Sequence, residues 1–163
     1  MRKLKLYLDT STISHLFAYD TPEKMAETNQ LWEDFINGKY QLFISPVVTT
    51  EINKCSEEKR RKLYAKMEQI HFEVLERTDE ITQLAEEYIT NGVLTRKSLD
   101  DCLHIAFAVV NNCDIIVSWN FKHLTNVRTI DKVKVVNAMN RYREISIVPP
   151  TMLLWRGDEH DRE

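Results

Sequence analysis

Five polar side chains stand where a predicted strand ends or a predicted helix begins. Asp9 directly follows the first short apolar segment, and Asn120 ends a later one. Glu51 lies six residues beyond the second predicted strand, and Asp100 and Asp101 stand near the start of the most apolar predicted helix. Ligands of open α/β sheets bind at the carboxyl ends of the strands. The pattern therefore predicts that these side chains face one pocket.

Several carboxylates in one pocket repel one another and raise each other's pKa unless a cation lies among them. Oxygen ligands without a His or Cys framework favour Mg²⁺ or Mn²⁺ over Zn²⁺. Such an ion can activate a water molecule, hold a phosphate oxygen and stabilise the charge of a leaving oxygen. The chemistry that the pocket predicts is hydrolysis of a phosphodiester bond.

Each of these residues also has a simpler interpretation. Asp9 can cap a helix that begins at Ser11 or Thr12, because Asp is a preferred N-cap residue. Asp100 and Asp101 can interact favourably with the dipole of their helix. Glu51 can be an ordinary exposed helical residue. Their joint position at one edge of a sheet is what favours the metal site.

Other kinds of site are excluded by the sequence. The chain has only three glycines and no G-x-G-x-x-G or P-loop pattern, so nucleotide binding of those kinds is set aside. No serine lies in a G-x-S-x-G motif, which argues against a serine-type triad. The three cysteines form no C-x-x-C pair, which argues against a zinc site or a disulfide framework.

Strands and helices alternate along the whole chain. We predict strands at 4–8, 41–45, 72–75, 114–119 and 144–148, and helices at 12–18, 22–37, 47–55, 57–71, 79–91, 98–112 and 130–142. Alternation of this kind produces right-handed crossovers and a mainly parallel sheet that is covered on both faces. The predicted fold is therefore a three-layer α/β/α domain.

Size and composition indicate one soluble domain. The chain has 163 residues, of which 43% are hydrophobic and 29% are charged. Its net charge of −3 argues against a protein that coats nucleic acid by charge alone. The longest apolar stretch, 102–110, is too short to span a membrane, and no secretory signal is recognisable. With an odd number of cysteines, we expect a reducing, cytoplasmic location.

Four segments resemble the motifs of the PIN domain family, which includes the VapC-type toxins. They are YLDTSTISHLF (7–17), SPVVTTEI (45–52), SLDDCLHIAFA (98–108) and IIVSWNFKHL (115–124). They occur in the order of the family's motifs and span most of the chain. The resemblance implies a PIN-like domain at 1–150, followed by a polar tail at 151–163.

The same resemblance assigns a role to each acidic position. It implies that Asp9, Glu51 and Asp101 are catalytic metal ligands, with Asp101 in the frame of the third motif rather than Asp100. Asn120 matches the fourth catalytic position, where many members carry Asp. An amide still coordinates through its carbonyl oxygen, but it adds no negative charge.

The activity that the resemblance implies is magnesium-dependent or manganese-dependent cleavage of RNA. It further implies a homodimer and, in the toxin branch, an antitoxin partner. Asn120 motivates an alternative, a catalytically weakened PIN-like binding module.

Four further polar residues lie beside these motifs. Lys122 and His123 follow Asn120 and are candidates for phosphate contact. Ser11 is predicted either to hold a metal-bound water or the phosphate, or to cap a helix. His104 is predicted to be a packed or hydrogen-bonded core histidine.

Overall fold

The fold is a five-stranded parallel sheet between two layers of helices, described for residues 2–154 of a computed structural model. The strands are β1 Lys5–Leu8, β2 Gln41–Ile44, β3 Glu73–Val74, β4 Ile115–Val117 and β5 Ser146–Val148. The α-helices of this part of the chain are α1 Thr10–Ser14, α2 Pro22–Ile36, α3 Pro46–Asn53, α4 Glu57–Met67, α5 Asp79–Thr90, α6 Leu99–Val110 and α7 Val127–Met139. Short 3₁₀ turns cover His15–Phe17, Arg96–Ser98 and Pro150–Leu153.

The sheet has the order β3-β2-β1-β4-β5, and all four pairings are parallel. The predicted three-layer α/β/α fold with a mainly parallel sheet is confirmed. β1 occupies the centre, so the residue that follows it lies between the ends of β2 and β4. Strand order reverses beside β1, which is where open α/β sheets bind their ligands.

Alternate residues of β1 pack into the two separate hydrophobic cores. Leu6 and Leu8 are fully buried against α1–α4, whereas Tyr7 is fully buried against α5–α7. Side chains of successive strand residues point to opposite faces, so a central strand must be apolar throughout. This requirement explains why residues 6–8 are apolar at every position, whereas Lys5 stands at the partly exposed start of the strand.

Capping residues set the ends of several helices. The side chains of Ser45 and Thr78 accept hydrogen bonds from backbone N–H groups in the first turns of α3 and α5. The predicted stops after α2 and α5 are confirmed, since Gly38 and Gly92 both adopt a φ of +73° just beyond those helices. Glycine reaches this left-handed conformation without a steric penalty.

Three predicted boundaries near the candidate site are wrong. The first helix begins at Thr10 rather than at residue 12, because Asp9 caps it. The last α-helix begins at Val127 rather than at 130, because Asn126 accepts a hydrogen bond from Thr129 N. β4 stops at Val117, because the chain then turns towards α1.

One carboxylate, that of Asp114, connects the chain segments at the amino ends of the strands. Asp114, which precedes β4, accepts two hydrogen bonds of 3.1 Å from the guanidinium of Arg2 and one of 2.8 Å from Lys5 N. Arg143 approaches the same carboxylate at 3.5 Å. These contacts join the start of β1, the start of β4 and the segment before β5.

The C-terminal segment was predicted to be a polar tail at 151–163. Its first residues lie on the domain, since Leu153 and Leu154 pack against the core and Thr151 hydrogen-bonds to Glu27. The strongly polar stretch 156–163 lies outside the described residues. Among residues 2–154, no helix has both the length and the apolarity that crossing a membrane requires.

Candidate active site

Asp9 is the buried carboxylate at the centre of the carboxyl edge, and only 3% of the residue is exposed. Its Oδ1 accepts hydrogen bonds from Thr12 N at 3.1 Å, Thr12 Oγ1 at 3.2 Å and Ser11 Oγ at 2.7 Å. Its Oδ2 accepts one from Ser118 Oγ. Asp9 therefore does cap α1, as the simpler interpretation predicted, but the cap uses only one of its two oxygens.

Two serine hydroxyls join the end of β4 to this carboxylate. Ser118 donates to Asp9 and also accepts a hydrogen bond of 2.9 Å from Asn120 N. Ser11 donates to Asp9 and accepts one of 2.9 Å from Trp119 N. The end of β4 is thereby held against the start of α1, and the Asp9 carboxylate keeps one orientation.

Glu51, on α3, lies beside Asp9 in the fold. Its Oε1 accepts hydrogen bonds from Thr10 Oγ1 at 2.8 Å and from His104 Nε2 at 2.7 Å. Thr10 is the residue that follows Asp9, so the first bond joins α1 to α3, the helices that follow the neighbouring strands β1 and β2. The second bond joins α3 to α6 and thus reaches across the sheet edge.

His104 belongs to a buried chain of hydrogen bonds that ends at Glu51. Its Nδ1 lies 2.6 Å from the hydroxyl of Tyr7, which lies 2.7 Å from Ser45 Oγ. An ionised Glu51 only accepts hydrogen bonds, so Nε2 of His104 must be the donor. This holds for a neutral and for a charged imidazole, because the Tyr7 hydroxyl can donate to Nδ1 or accept from it.

Asp101, on α6, contacts the loop that follows β4. Its Oδ2 lies 2.8 Å from Nδ1 of His123. Asn120 accepts a 3.0 Å hydrogen bond from His123 N through its own Oδ1, which fixes the turn that carries the imidazole. In this structure Asn120 positions His123, whereas Asp101 meets His123 directly.

Burial and neighbouring charge shift the pKa values of these groups in different directions. Burial is the largest effect on Asp101 and raises its pKa above the ordinary value, although the hydrogen bond from His123 lowers it in part. Burial also disfavours the ionised form of Glu51, but the hydrogen bond and charge of His104 bring its pKa below the ordinary value. Burial lowers the pKa of His104, yet Glu51, Asp9 and Asp101 together raise it above the ordinary value. His104 contacts only Glu51 of these three carboxylates directly.

The carboxylate oxygens of Asp9, Glu51 and Asp101 suit a hard divalent cation, but these side chains do not surround one common point. Within residues 2–154, no three His, Cys, Asp or Glu side chains form a ready metal-binding group. Glu51 Oε2 and Asp101 Oδ1 accept no hydrogen bond from the described residues, whereas their other oxygens do. Glu51 and Asp101 are therefore each held by one carboxylate oxygen, and the other oxygen accepts no hydrogen bond from the described residues.

Several predictions about individual residues are tested by these contacts. His104 is a buried, hydrogen-bonded core histidine, as predicted. Ser11 is not the cap of α1, since Asp9 fills that position. Lys122 is exposed, and Asp100 has no side-chain hydrogen bond within the described residues.

Three polar residues of the site were missed by sequence reasoning. Tyr7 looked like one more apolar strand residue, and Thr10 looked like a generic N-cap type. Ser118 lies in segment 115–124, the same motif as Asn120. Its place in that motif, at the end of a strand, was the available signal that its hydroxyl lies beside Asp9.

Comparison with known proteins gives two findings. The family model described as PIN domain matches residues 6–124, more than half of the chain. Among solved structures, one chain of VapBC2 from Rickettsia felis, a structure with a DNA fragment from their promoter bound, matches with a TM-score of 0.54. The two chains are 15% identical, and the match covers 90% of this chain and 98% of the other. A search among curated proteins finds no significant match.

Proposed function

The chain belongs to the PIN domain family, and from this premise we propose that it is an endoribonuclease that hydrolyses RNA phosphodiester bonds with a bound divalent metal ion. The main support is geometric: Thr10, next to Asp9, and His104, one turn from Asp101 on α6, both donate hydrogen bonds to Oε1 of Glu51. Oxygen ligands of this kind favour Mg²⁺ or Mn²⁺. The proposed reaction is therefore metal-assisted hydrolysis.

In this proposal Asp9, Glu51 and Asp101 hold the ion. When bound, the ion supplies an activated water and stabilises negative charge on the phosphate and the leaving oxygen. Ser118 and Thr12 fix the direction of the Asp9 carboxylate. Thr10 and His104 hold Oε1 of Glu51, so that Oε2 faces the pocket.

The loop after β4 is proposed to contact the RNA. Asn120 fixes the turn through its hydrogen bond from His123 N. Lys122 is exposed beside it and can meet a phosphate, and His123 is partly exposed while it contacts Asp101. Ser11 is proposed to support Asp9 through the hydrogen bond that its hydroxyl donates.

The test is RNA cleavage in Mg²⁺ or Mn²⁺ by the wild type and by Asp9→Asn. Asn caps helices about as well as Asp, so this variant removes the charge while keeping the start of α1. Asp131→Asn, on the exposed face of α7, is the matched control. We expect Asp9→Asn to abolish cleavage and Asp131→Asn to retain it. Equal cleavage by Asp9→Asn and the wild type would contradict the proposal.

A PIN-like binding module without catalysis is the second candidate. It is favoured by Asn120, whose carbonyl oxygen is engaged by His123 N and which brings no charge to the pocket. Calorimetric titration with Mn²⁺ separates the two candidates. An enzyme binds Mn²⁺ in the pocket and loses that binding in Asp101→Ala, whereas a module without catalysis shows no such binding.

We further propose that the chain is the toxin of a type II toxin–antitoxin pair, that it forms a homodimer and that it acts in the cytoplasm. The similarity of its fold to a chain of VapBC2 supports an antitoxin partner. Val127, Val135 and Met139 on α7 are 58–74% exposed and offer an apolar surface for a second chain. Light scattering coupled to size exclusion tests the dimer, and a monomeric mass at micromolar concentration would contradict it.

A further inference from the structure

An exposed aromatic ring lies on the segment that leaves β4. Phe121 is 46% exposed, and the ammonium group of Lys24 lies 5.1 Å from the centroid of its ring. The same ammonium lies 5.6 Å from the Trp119 ring, which is 6.1 Å from that of Phe121. We call these three side chains the Phe121 surface.

The Phe121 surface adjoins the candidate active site. The backbone N–H of Trp119 donates to Ser11 Oγ, and Ser11 in turn donates to Asp9. Phe121 follows two residues later, and its carbonyl oxygen accepts a hydrogen bond from Asn126 Nδ2. The ring is therefore carried by a backbone that is anchored on both sides, close to the Asp9 carboxylate.

Trp119 has a clear role in the packing of the fold, whereas Phe121 and Lys24 do not. Trp119 is buried, and its indole N–H donates to Thr28 Oγ1 at 2.8 Å. Phe121 belongs to neither hydrophobic core. Lys24 forms no ion pair with any residue in 2–154. An exposed ring and a lysine without an ion pair in residues 2–154 thus stand together near the acidic pocket.

We propose that the Phe121 surface is a subsite for one nucleobase of single-stranded RNA, next to the bond that is cut. Aromatic side chains beside cationic groups are the usual means of binding unpaired strands, because every base has a face that stacks. Lys24 is placed to meet the phosphate of the stacked nucleotide, and Lys122, exposed beside Phe121, is placed to meet the next one. The identity of the strand as RNA rests on the proposed function.

The ring is tested by binding in EDTA, where metal-dependent cleavage cannot occur. The probe is a short, fluorescently labelled single-stranded RNA, and its anisotropy is measured against protein concentration. Phe121→Leu keeps an apolar side chain but removes the aromatic face, and we expect binding to weaken about 10-fold. Phe121→Trp keeps the aromatic face, and we expect it to bind within about threefold of the wild type.

The cation is tested with a matched pair of lysines. Lys39 lies 5.6 Å from the ring of Tyr40, but it precedes β2 and so belongs to the opposite edge of the sheet. Lys24→Gln should weaken binding and reduce the slope of log affinity against log salt by about 0.7, the value for one lost phosphate contact with a single strand. Lys39→Gln should change neither.

The outcomes separate this proposal from the proposed function. Weaker binding by Phe121→Leu and Lys24→Gln, with Phe121→Trp and Lys39→Gln like the wild type, supports the subsite. Unchanged RNA affinity in Phe121→Leu overturns it and indicates a different occupant, such as an apolar segment of a partner protein. Failure of the wild type to bind the RNA also overturns it. Loss of cleavage in Asp9→Asn concerns only the proposed function, because the binding assay contains no metal.

Discussion

Removing one buried hydroxyl, in Tyr7→Phe, should affect both the stability of the fold and the pocket around Glu51. The Tyr7 hydroxyl lies 2.6 Å from His104 Nδ1 and 2.7 Å from Ser45 Oγ. Ser45 keeps a hydrogen bond from Val47 N in the variant. His104 Nδ1 keeps none, because Tyr7 is its only hydrogen-bond partner among the described residues.

The stability cost follows from this count. One buried polar atom that loses its only partner costs about 1–3 kcal/mol, so Tyr7→Phe should lower the free energy of unfolding by that amount. Tyr88→Phe is a matched control. Tyr88 is equally buried, and its hydroxyl donates to Asn137 Oδ1 between α5 and α7. Its loss should cost a similar amount at a distance from the site.

The effect on the pocket should differ between the two variants. Without Tyr7, only the bond to Glu51 orients the His104 ring, and Glu51 Oε1 loses part of its fixed geometry. Residues that orient a metal ligand typically change metal affinity by about 10–100-fold when they are replaced. We expect Tyr7→Phe to weaken Mn²⁺ binding about 10-fold, and Tyr88→Phe to leave it unchanged.

Urea unfolding measures the change in the free energy of unfolding, and calorimetric titration measures the change in affinity for Mn²⁺. If both variants lose similar stability and bind Mn²⁺ with the same affinity, Tyr7 supports the fold alone. That result would refute the reasoning that runs from Tyr7 through His104 to Glu51. Equal stability of Tyr7→Phe and the wild type would contradict the buried hydrogen bonds themselves.

Three further outcomes follow from other parts of the fold. Asp114→Asn should lower the free energy of unfolding by about 1 kcal/mol at neutral pH. Burial opposes ionisation of Asp114, but Arg2 and Lys5 N hold its pKa below the ordinary value. The difference in the free energy of unfolding between variant and wild type should therefore be complete above about pH 4. It should vanish as the pH falls through the lowered pKa of Asp114. Phe107→Ala, at a fully buried position of α6, should cost about 3–5 kcal/mol in urea unfolding, and a loss below 1 kcal/mol would contradict its place in the core. Burial raises the pKa of Cys102 to about 12, so a thiol reagent at neutral pH should label the partly exposed Cys55 first, and faster labelling of Cys102 would contradict its burial.

The fold was predictable because local signals agree with the tertiary structure. The alternation of strand and helix patterns predicted all five strands and all seven α-helices described for residues 2–154, although several of their bounds differ. Two of the three wrong boundaries come from local N-caps, at Asp9 and at Asn126. The third, the end of β4, lies where tertiary contacts compete with the local pattern. The segment 114–119 is apolar enough for a longer strand, yet Ser118 and Trp119 leave the ladder to bond with residues of the β1–α1 junction.

The candidate site was predictable in its acids but not in the groups that orient them. Asp9, Glu51 and Asp101 are visible because they follow strands or begin helices. The bond from His104 to Glu51 joins residues 53 positions apart, and no periodicity reports such a contact. Phosphate contact by His123 stays a prediction, whereas its contact with Asp101 could not be predicted, because it depends on how α6 packs against the loop after β4.

The central position of β1 has a consequence for synthesis of the chain. Asp9 is synthesised well before its partner Ser118, which lies 109 residues further along the chain. Parallel pairing of β1 with β4 must therefore wait until the roughly one hundred intervening residues have been translated, because such distant contacts close late. A nascent chain that ends before residue 118 holds Asp9 and Glu51 without the strand that completes their surroundings. For the proposed ribonuclease, this order would delay the assembled pocket until β4 and Ser118 have been synthesised.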